Sequence, residues 1–174
     1  MDKHIFYKRK ALTLIQCKSI IDFFENSEQE DKDENSRGYF VLYTDYDSLQ
    51  IRDVLSKNLK EYVDKHNFLN RLYAGWDVTY RVHLQKYLPG IAYSGEHMEH
   101  GKDEWDSTRL LAWMFYLNDI KKDGGTRWPQ QNFTSKPRAG DLYIWPAGWT
   151  HSHYGIPAPQ ENKYFISGWC SLHE

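Results

Sequence analysis

The feature that most constrains the fold is a series of short strand-like runs between residues 76 and 173. In the first of them, residues 78–85 alternate between apolar and polar side chains, which is the period-two pattern of a half-buried strand. Similar runs cover residues 109–117, 126–134, 141–146, 150–154 and 163–172. Turn signals rich in Gly and Pro separate them. Many short strands joined in this way predict a jelly-roll sandwich or barrel.

The first seventy residues predict helices packed outside that core. Thr13 and Gln16 have the spacing of a capping box, and apolar residues at helical spacing follow, so a helix is predicted over residues 13–26. A second amphipathic pattern predicts a helix over about residues 47–67. Between these two helices the sequence predicts a polar, acidic loop at residues 27–37 and a strand at residues 39–43.

The expected architecture is one α+β, mainly β domain over residues 1–174. Its helical N-terminal part covers about residues 1–70, and its core, a double-stranded β-helix, covers about residues 76–173.

Composition excludes some function classes. The formal net charge is -2, so no basic excess exists to neutralise phosphates, and neither nucleic acid nor a membrane is expected as a partner. No apolar run approaches the roughly 20 residues of a membrane span, and the N-terminus does not have the pattern of a signal peptide. Cys17 and Cys170 are interpreted as reduced, half-buried thiols of a cytoplasmic protein.

The segment from Tyr93 to His100 carries a candidate metal site. In an extended segment His97 and Glu99 point to the same face, and a third ligand can come from His151 or His153. Two imidazoles and one carboxylate form the facial triad of non-haem Fe(II) oxygenases. The tripeptide alone is a weak signal in a chain with eight His and 24 acidic residues.

Two further histidines are less suitable as ligands. His100 would face away from Glu99 in an extended segment, and His83 is expected to be an ordinary hydrogen-bonded histidine. Spacing alone does not separate His151 from His153.

A string of spaced motifs strengthens the metal hypothesis. Together with the H-x-E tripeptide they are Tyr87-Leu88-Pro89-Gly90, an Arg109-led strand ending in Tyr116-Leu117-Asn118, Gly124-Gly125-Thr126, the strand from Asp141 to Pro146, and His153-Tyr154-Gly155-Ile156-Pro157, followed by Lys163 and Trp169. Residues 87–169 thereby resemble the prolyl 4-hydroxylase-like branch of the Fe(II)/2-oxoglutarate-dependent oxygenases, in particular its short phage- and bacterial-type members.

The resemblance implies a site and a reaction. It selects His97, Glu99 and His153 as catalytic ligands of Fe(II), and Lys163, Tyr87, Tyr116 and Trp169 as residues that bind 2-oxoglutarate, with ascorbate as an optional further cofactor. The implied reaction is hydroxylation of a C–H bond by O₂, coupled to decarboxylation of 2-oxoglutarate to succinate. The chain departs from the family pattern in two places, since Glu replaces the commoner Asp and the Gly-Gly segment is one residue short.

The residues themselves support the assignment of Lys163. In the last predicted strand Lys163, Phe165 and Trp169 face the same way. A lysine on an aromatic face is costly to bury unless it meets an anion.

The substrate stays open at this point. A prolyl or other residue of a protein fits the resemblance, and so does a small molecule. The loops at residues 27–37, 68–76 and 100–108, and the rim candidates Trp105 and Trp149, would shape that choice. The alternatives are a non-catalytic jelly-roll module that binds a metal or a carboxylate, and a nucleic-acid demethylase, which the net charge disfavours.

Overall fold

The computed structural model describes residues 3–31, 38–72 and 75–173. Its α-helices are α1 (Leu14–Glu25), α2 (Arg52–Lys65) and α3 (Glu104–Ser107), and two short 3-10 helices cover Asn67–Arg71 and Trp149–His151. Its strands are β1 (Phe6–Lys8), β2 (Glu30–Asp31), β3 (Tyr39–Asp45), β4 (Trp76–Val78), β5 (Arg81–Tyr87), β6 (Arg109–Tyr116), β7 (Thr126–Trp128), β8 (Phe133–Thr134), β9 (Leu142–Pro146), β10 (Tyr154–Gly155) and β11 (Lys163–Leu172). No helix among these residues is both long and apolar enough to cross a bilayer.

The strands form two antiparallel sheets. The major sheet has the order β1-β9-β6-β11-β5-β3-β2, with β4 paired to the far end of β11. The minor sheet has the order β10-β7-β8. Its β7–β8 hairpin contributes Trp128 and Phe133 to an aromatic cluster on the inner face of the major sheet. Two facing antiparallel sheets are the jelly-roll arrangement that the strand pattern predicted.

The outer face of the major sheet holds the larger, mostly aliphatic core. Helix α1 begins with the predicted capping box, because the Thr13 side chain accepts from the backbone N–H of Gln16 and the Gln16 side chain accepts from the N–H of Thr13. Its buried residues, and those of α2, pack in one cluster with apolar residues of β5, β6, β9 and β11. The two helices therefore lie outside the sheet, and the inner face is left for other side chains.

The inner face differs from the outer face in chemistry. Its buried residues are mostly aromatic, and they are interspersed with polar side chains of β5 and β11. Strand alternation explains the difference: Val82 and Leu84 of β5 point outward, whereas His83, Gln85 and Tyr87 point inward.

The turn between β6 and β7 requires both of its glycines. Gly124 has a φ of +72°, a conformation that side chains rarely adopt. A Cβ on Gly125 would lie 2.2 Å from the carbonyl oxygen of Ser135. The Gly-Gly motif is thus needed to bring the hairpin close to the segment before β9.

Several predicted elements differ from the structure in detail. The run at residues 78–85 is divided between β4 and β5, and the run at 126–134 is a hairpin of two strands. The strand predicted over residues 150–154 is limited to β10, because residues 150 and 151 belong to the 3-10 helix Trp149–His151. Strand β1 was not predicted because its three residues are too short for a periodic signal. Residues 30–31, predicted as loop, pair with β3, whereas residues 32–37 of that loop lie outside the described residues. Cys17 and Cys170 are free thiols, as predicted, but they are fully buried.

Candidate active site

The long segment between β5 and β6 brings the H-x-E tripeptide to the segment before β10. The N–H of His97 donates to the carbonyl of His153 at 3.0 Å, and the N–H of His153 donates back at 2.8 Å. The N–H of Glu99 donates to the carbonyl of Ala147 at 3.0 Å. These backbone bonds bring side chains from two segments that are distant in sequence to one place.

His97, Glu99 and His153 each present one donor atom, and these atoms lie within 4.8 Å of one another. Each imidazole donates its Nδ1–H to a backbone carbonyl, that of Gly95 at 2.9 Å or that of His151 at 3.0 Å. Both Nε2 atoms are therefore the lone-pair donors, which is the arrangement expected of metal-binding histidines. Two nitrogens and one carboxylate on one side of a point fit a ferrous ion with open positions.

The two rival histidines are engaged elsewhere. The Nε2 of His100 bonds to the carbonyl of Arg109. His151 uses Nε2 for the carbonyl of Lys3 at 2.9 Å and Nδ1 for the hydroxyl of Thr150 at 3.0 Å. Neither belongs to the cluster of three, so the geometry separates His153 from His151 where spacing alone did not.

Electrostatics favour the protonation states that a metal requires. Burial lowers the pKa of His97, and the neighbouring His153 lowers it further. Burial raises the pKa of the Glu99 carboxyl, but the neighbouring His153 and the hydrogen bond from Trp169 outweigh it, so that the pKa falls to about 2. A neutral imidazole and an ionised carboxylate are the forms that bind a divalent cation.

A buried lysine lies in the same cavity, whose volume is about 340 Å³. Lys163, the first residue of β11, is 3% exposed, and its Nζ lies over the rings of Tyr87, Tyr116 and Phe165 at 5.5, 5.6 and 4.9 Å. Within the described chain no hydrogen bond or salt bridge of this ammonium is found. Burial lowers its pKa to about 7, because the ammonium loses its hydration.

The two predicted tyrosines lie beside the lysine. The hydroxyl of Tyr116 is hydrogen-bonded to the hydroxyls of Ser135 at 2.7 Å and Thr126 at 3.2 Å, and burial raises its pKa to about 12. Tyr87 packs edge-on against Tyr39, and burial raises its pKa as well. Both rings lie within 5.6 Å of Nζ of Lys163, and their contact with a co-substrate stays a prediction.

A polar network on the cavity wall was not predicted. The buried amide of Gln85 accepts from the hydroxyl of Tyr39 and donates to the hydroxyl of Ser167, both at 2.7 Å. His83 also lines the cavity, with its ring 4.8 Å from that of Trp169. The period-two pattern of β5 contained this signal, since His83, Gln85 and Tyr87 are two residues apart.

Trp169 makes a contact that the sequence did not suggest. Its indole N–H donates to Oε2 of Glu99 at 2.7 Å. Arg109, the first residue of β6, lies over the same indole at 3.8 Å from the ring centroid. In the sequence, Arg109 is recognisable only as the start of a strand.

The exposed aromatic candidates lie in segments next to the cluster of three. Trp149 is 71% exposed and follows Ala147, whose carbonyl accepts from the N–H of Glu99. Trp105 is 82% exposed and belongs to α3, which precedes Arg109.

Solved structures with the same fold include two prolyl hydroxylases. A viral collagen prolyl hydroxylase from Paramecium Bursaria Chlorella virus-1, in complex with 2-oxoglutarate, superposes with a TM-score of 0.77 at 17% identity, covering 98% of this chain and 97% of that one. A prolyl-4-hydroxylase from Pseudomonas putida gives a TM-score of 0.73 at 16% identity, with coverages of 98% and 94%. At these identities the likeness shows the fold, and the predicted jelly roll is confirmed.

A similar sequence is the prolyl 4-hydroxylase subunit alpha-1 of Gallus gallus, which is 29% identical over 116 residues, or 58% of this chain. The match covers 22% of the chicken protein, so this chain spans about a fifth of that relative. A family model described as the 2OG-Fe(II) oxygenase superfamily matches residues 82–171, the stretch that contains His97, Glu99, His153 and Lys163. Because residues 82–171 are more than half of the 174 residues of this chain, the chain belongs to the 2OG-Fe(II) oxygenase superfamily.

Proposed function

We propose that this chain is a 2-oxoglutarate-dependent hydroxylase in which His97, Glu99 and His153 bind Fe(II) and Lys163 binds the distal carboxylate of 2-oxoglutarate. One observation carries the proposal: the cluster of three donors and a buried ammonium without an anionic partner among the described residues line one cavity. A keto acid with a second carboxylate can bind the metal through its keto acid group and the ammonium of Lys163 through its distal carboxylate. The iron would supply the oxidative chemistry that couples O₂ and 2-oxoglutarate to hydroxylation, with release of succinate and CO₂.

The residues of the chain orient the reactants. The backbone carbonyls of Gly95 and His151 fix the tautomer of the two imidazoles. The ammonium of Lys163 fixes the far end of the co-substrate, which leaves the keto acid end at the cluster. Aromatic rings around the cavity exclude water, so the charge interactions inside it are stronger than in solution.

We infer a prolyl residue of a polypeptide as the first substrate to test. The support is the similarity to proteins named as prolyl hydroxylases, in sequence to the chicken subunit and in fold to the viral and bacterial proteins. Trp105 and Trp149 are exposed and have the amphipathic rings that bind extended, proline-rich segments.

The test is succinate formation in a single turnover. The protein is loaded anaerobically with Fe(II) and 2-oxoglutarate, then mixed with O₂ and a proline-rich peptide, and succinate and hydroxyproline are quantified. We expect both products in near-equal amounts. His153→Ala should reduce them by at least 100-fold, whereas His173→Ala, at an exposed histidine outside the cavity, should not.

Three outcomes would contradict parts of the proposal. Full turnover in His153→Ala would show that the cluster does not bind the iron. Succinate without hydroxyproline would remove the prolyl substrate. Metal binding without any succinate would make the chain a non-catalytic binding module.

A further inference from the structure

The carboxylate of Glu99 has a different neighbour at each oxygen. Its Oε1 lies 3.1 Å from Nε2 of His153, on the side of the proposed metal position. Its Oε2 accepts the indole N–H of Trp169 at 2.7 Å. The second oxygen is thereby held by a donor that cannot itself bind a metal, since the indole nitrogen has no available lone pair.

Arg109 holds both the indole and the backbone of Glu99. The guanidinium carbon lies 3.8 Å from the centroid of the Trp169 ring, a close cation–π contact. Nη1 donates to the carbonyl of Glu99 at 3.0 Å and lies 4.0 Å from its Oε2. Nη2 pairs with Asp106 of α3, which fixes the guanidinium in turn.

The length of the ligand explains why such support is needed. Glu has one more rotatable bond than Asp, so fixing its carboxylate at one point costs additional side-chain entropy. A donor at Oε2 reduces this cost, because it selects one orientation before the ion binds. Trp169 can approach Glu99 from β11 because the residue beside it in the neighbouring strand is Ala112, which leaves space on the inner face.

We infer that Trp169 is a positioning residue for the glutamate ligand, and that Arg109 holds the indole in the orientation this requires. The inference rests on the proposed function, since it assumes that Glu99 binds the metal. Trp169 then positions Glu99 instead of contacting the co-substrate, and Arg109 acts in the site by holding the indole.

The first experiment measures Mn²⁺ affinity in the absence of O₂ and 2-oxoglutarate, by electron paramagnetic resonance titration. Trp169→Phe keeps an aromatic ring but removes the indole N–H, and it should weaken Mn²⁺ binding roughly tenfold or more. Trp76→Phe is the matched control, because its indole N–H donates at 3.2 Å to the carbonyl of Leu69, remote from the cavity. It should leave Mn²⁺ affinity unchanged even if the melting temperature falls.

The second experiment asks whether the effect passes through Glu99. In Glu99→Asp the shorter carboxylate should not reach the indole, so adding Trp169→Phe should change Mn²⁺ affinity by less than about twofold. If the Asp variant binds no Mn²⁺, the same cycle is run with Arg109→Met. In the Arg109→Met background, Trp169→Phe should reduce Mn²⁺ affinity clearly less than it does in the wild type. The reason is that Arg109 and Trp169 act on the same carboxylate.

Three results would overturn the inference. One is an unchanged Mn²⁺ affinity in Trp169→Phe. Another is a Trp169→Phe substitution that reduces Mn²⁺ affinity equally in the wild type and in the Glu99→Asp or Arg109→Met background. The third is weakened 2-oxoglutarate binding at saturating Mn²⁺ without any change in Mn²⁺ affinity, which would make Trp169 a co-substrate contact. A failure of the proposed function is distinguished by His153→Ala, which would then retain wild-type Mn²⁺ affinity.

Discussion

The two ends of the cavity treat buried charge in opposite ways. At the metal end, Glu99 lies 3.1 Å from Nε2 of His153 and accepts the indole N–H of Trp169, and its pKa is about 2. At the other end Lys163 faces aromatic rings, and burial lowers its pKa to about 7. The carboxylate is stabilised by the chain itself, whereas the ammonium is stabilised only when an anion arrives. The buried Lys163 therefore lowers the stability of the ligand-free fold and favours the binding of an anion, whereas Glu99 does not lower that stability.

The sharpest way to break this comparison is Lys163→Met. Removing one partner of a buried charge pair should weaken 2-oxoglutarate binding to the Mn²⁺-loaded protein by about 100-fold. Isothermal titration calorimetry measures the affinity, and Lys122→Met, at an exposed lysine, is the control. A change of less than threefold would remove Lys163 from the co-substrate site.

The same substitution should raise the stability of the ligand-free protein, by roughly 2–4 kcal/mol at pH 6. The folded-state pKa of about 7 lies below the ordinary value of 10.5, so the protonated lysine favours unfolding. This penalty is complete below pH 7 and shrinks as the pH rises toward 10.5. Urea unfolding at pH 6 and pH 9 should therefore show the larger gain at pH 6, and a destabilised variant would contradict this reading of the lysine end.

Proton uptake should make co-substrate binding depend on pH. An anion binds the protonated lysine, so above pH 7 the free protein must take up a proton on binding, and the 2-oxoglutarate affinity should fall up to tenfold per pH unit between pH 7 and 9. Lys163→Arg should give a nearly flat profile, because a guanidinium stays charged. Equal slopes in both proteins would assign the dependence to another group.

A smaller effect is expected at Tyr116. Its hydroxyl is already bonded to Ser135 and Thr126, so Tyr116→Phe should weaken 2-oxoglutarate binding by less than about fivefold. A loss of more than 50-fold, measured by the same calorimetry, would show that this hydroxyl binds the co-substrate directly.

The parts of the site that follow strand periodicity could be predicted from the sequence. Alternation places Lys163 on the aromatic inner face of β11, and it aims His97 and Glu99 in one direction. The choice of His153 over His151 needed the resemblance, because both have the same parity. The structure adds the physical reason, since both ring nitrogens of His151 are already hydrogen-bonded.

The support around Glu99 could not be predicted in the same way. The hydrogen bond from Trp169 joins residues 70 positions apart, and it depends on the conformation of the irregular segment between β5 and β6. Periodicity says which face a side chain occupies, but not which atom it contacts across the cavity. For the same reason Arg109 was visible as the start of a strand and not as a partner of the indole.

The most direct test of the account is a crystal structure of the anaerobic protein with Mn²⁺ and 2-oxoglutarate. The account predicts one ion bound by Nε2 of His97, Nε2 of His153 and a carboxylate oxygen of Glu99, with the distal carboxylate of 2-oxoglutarate paired to Lys163. An ion bound without His153, or a 2-oxoglutarate molecule that leaves the ammonium of Lys163 without an anion, would contradict it.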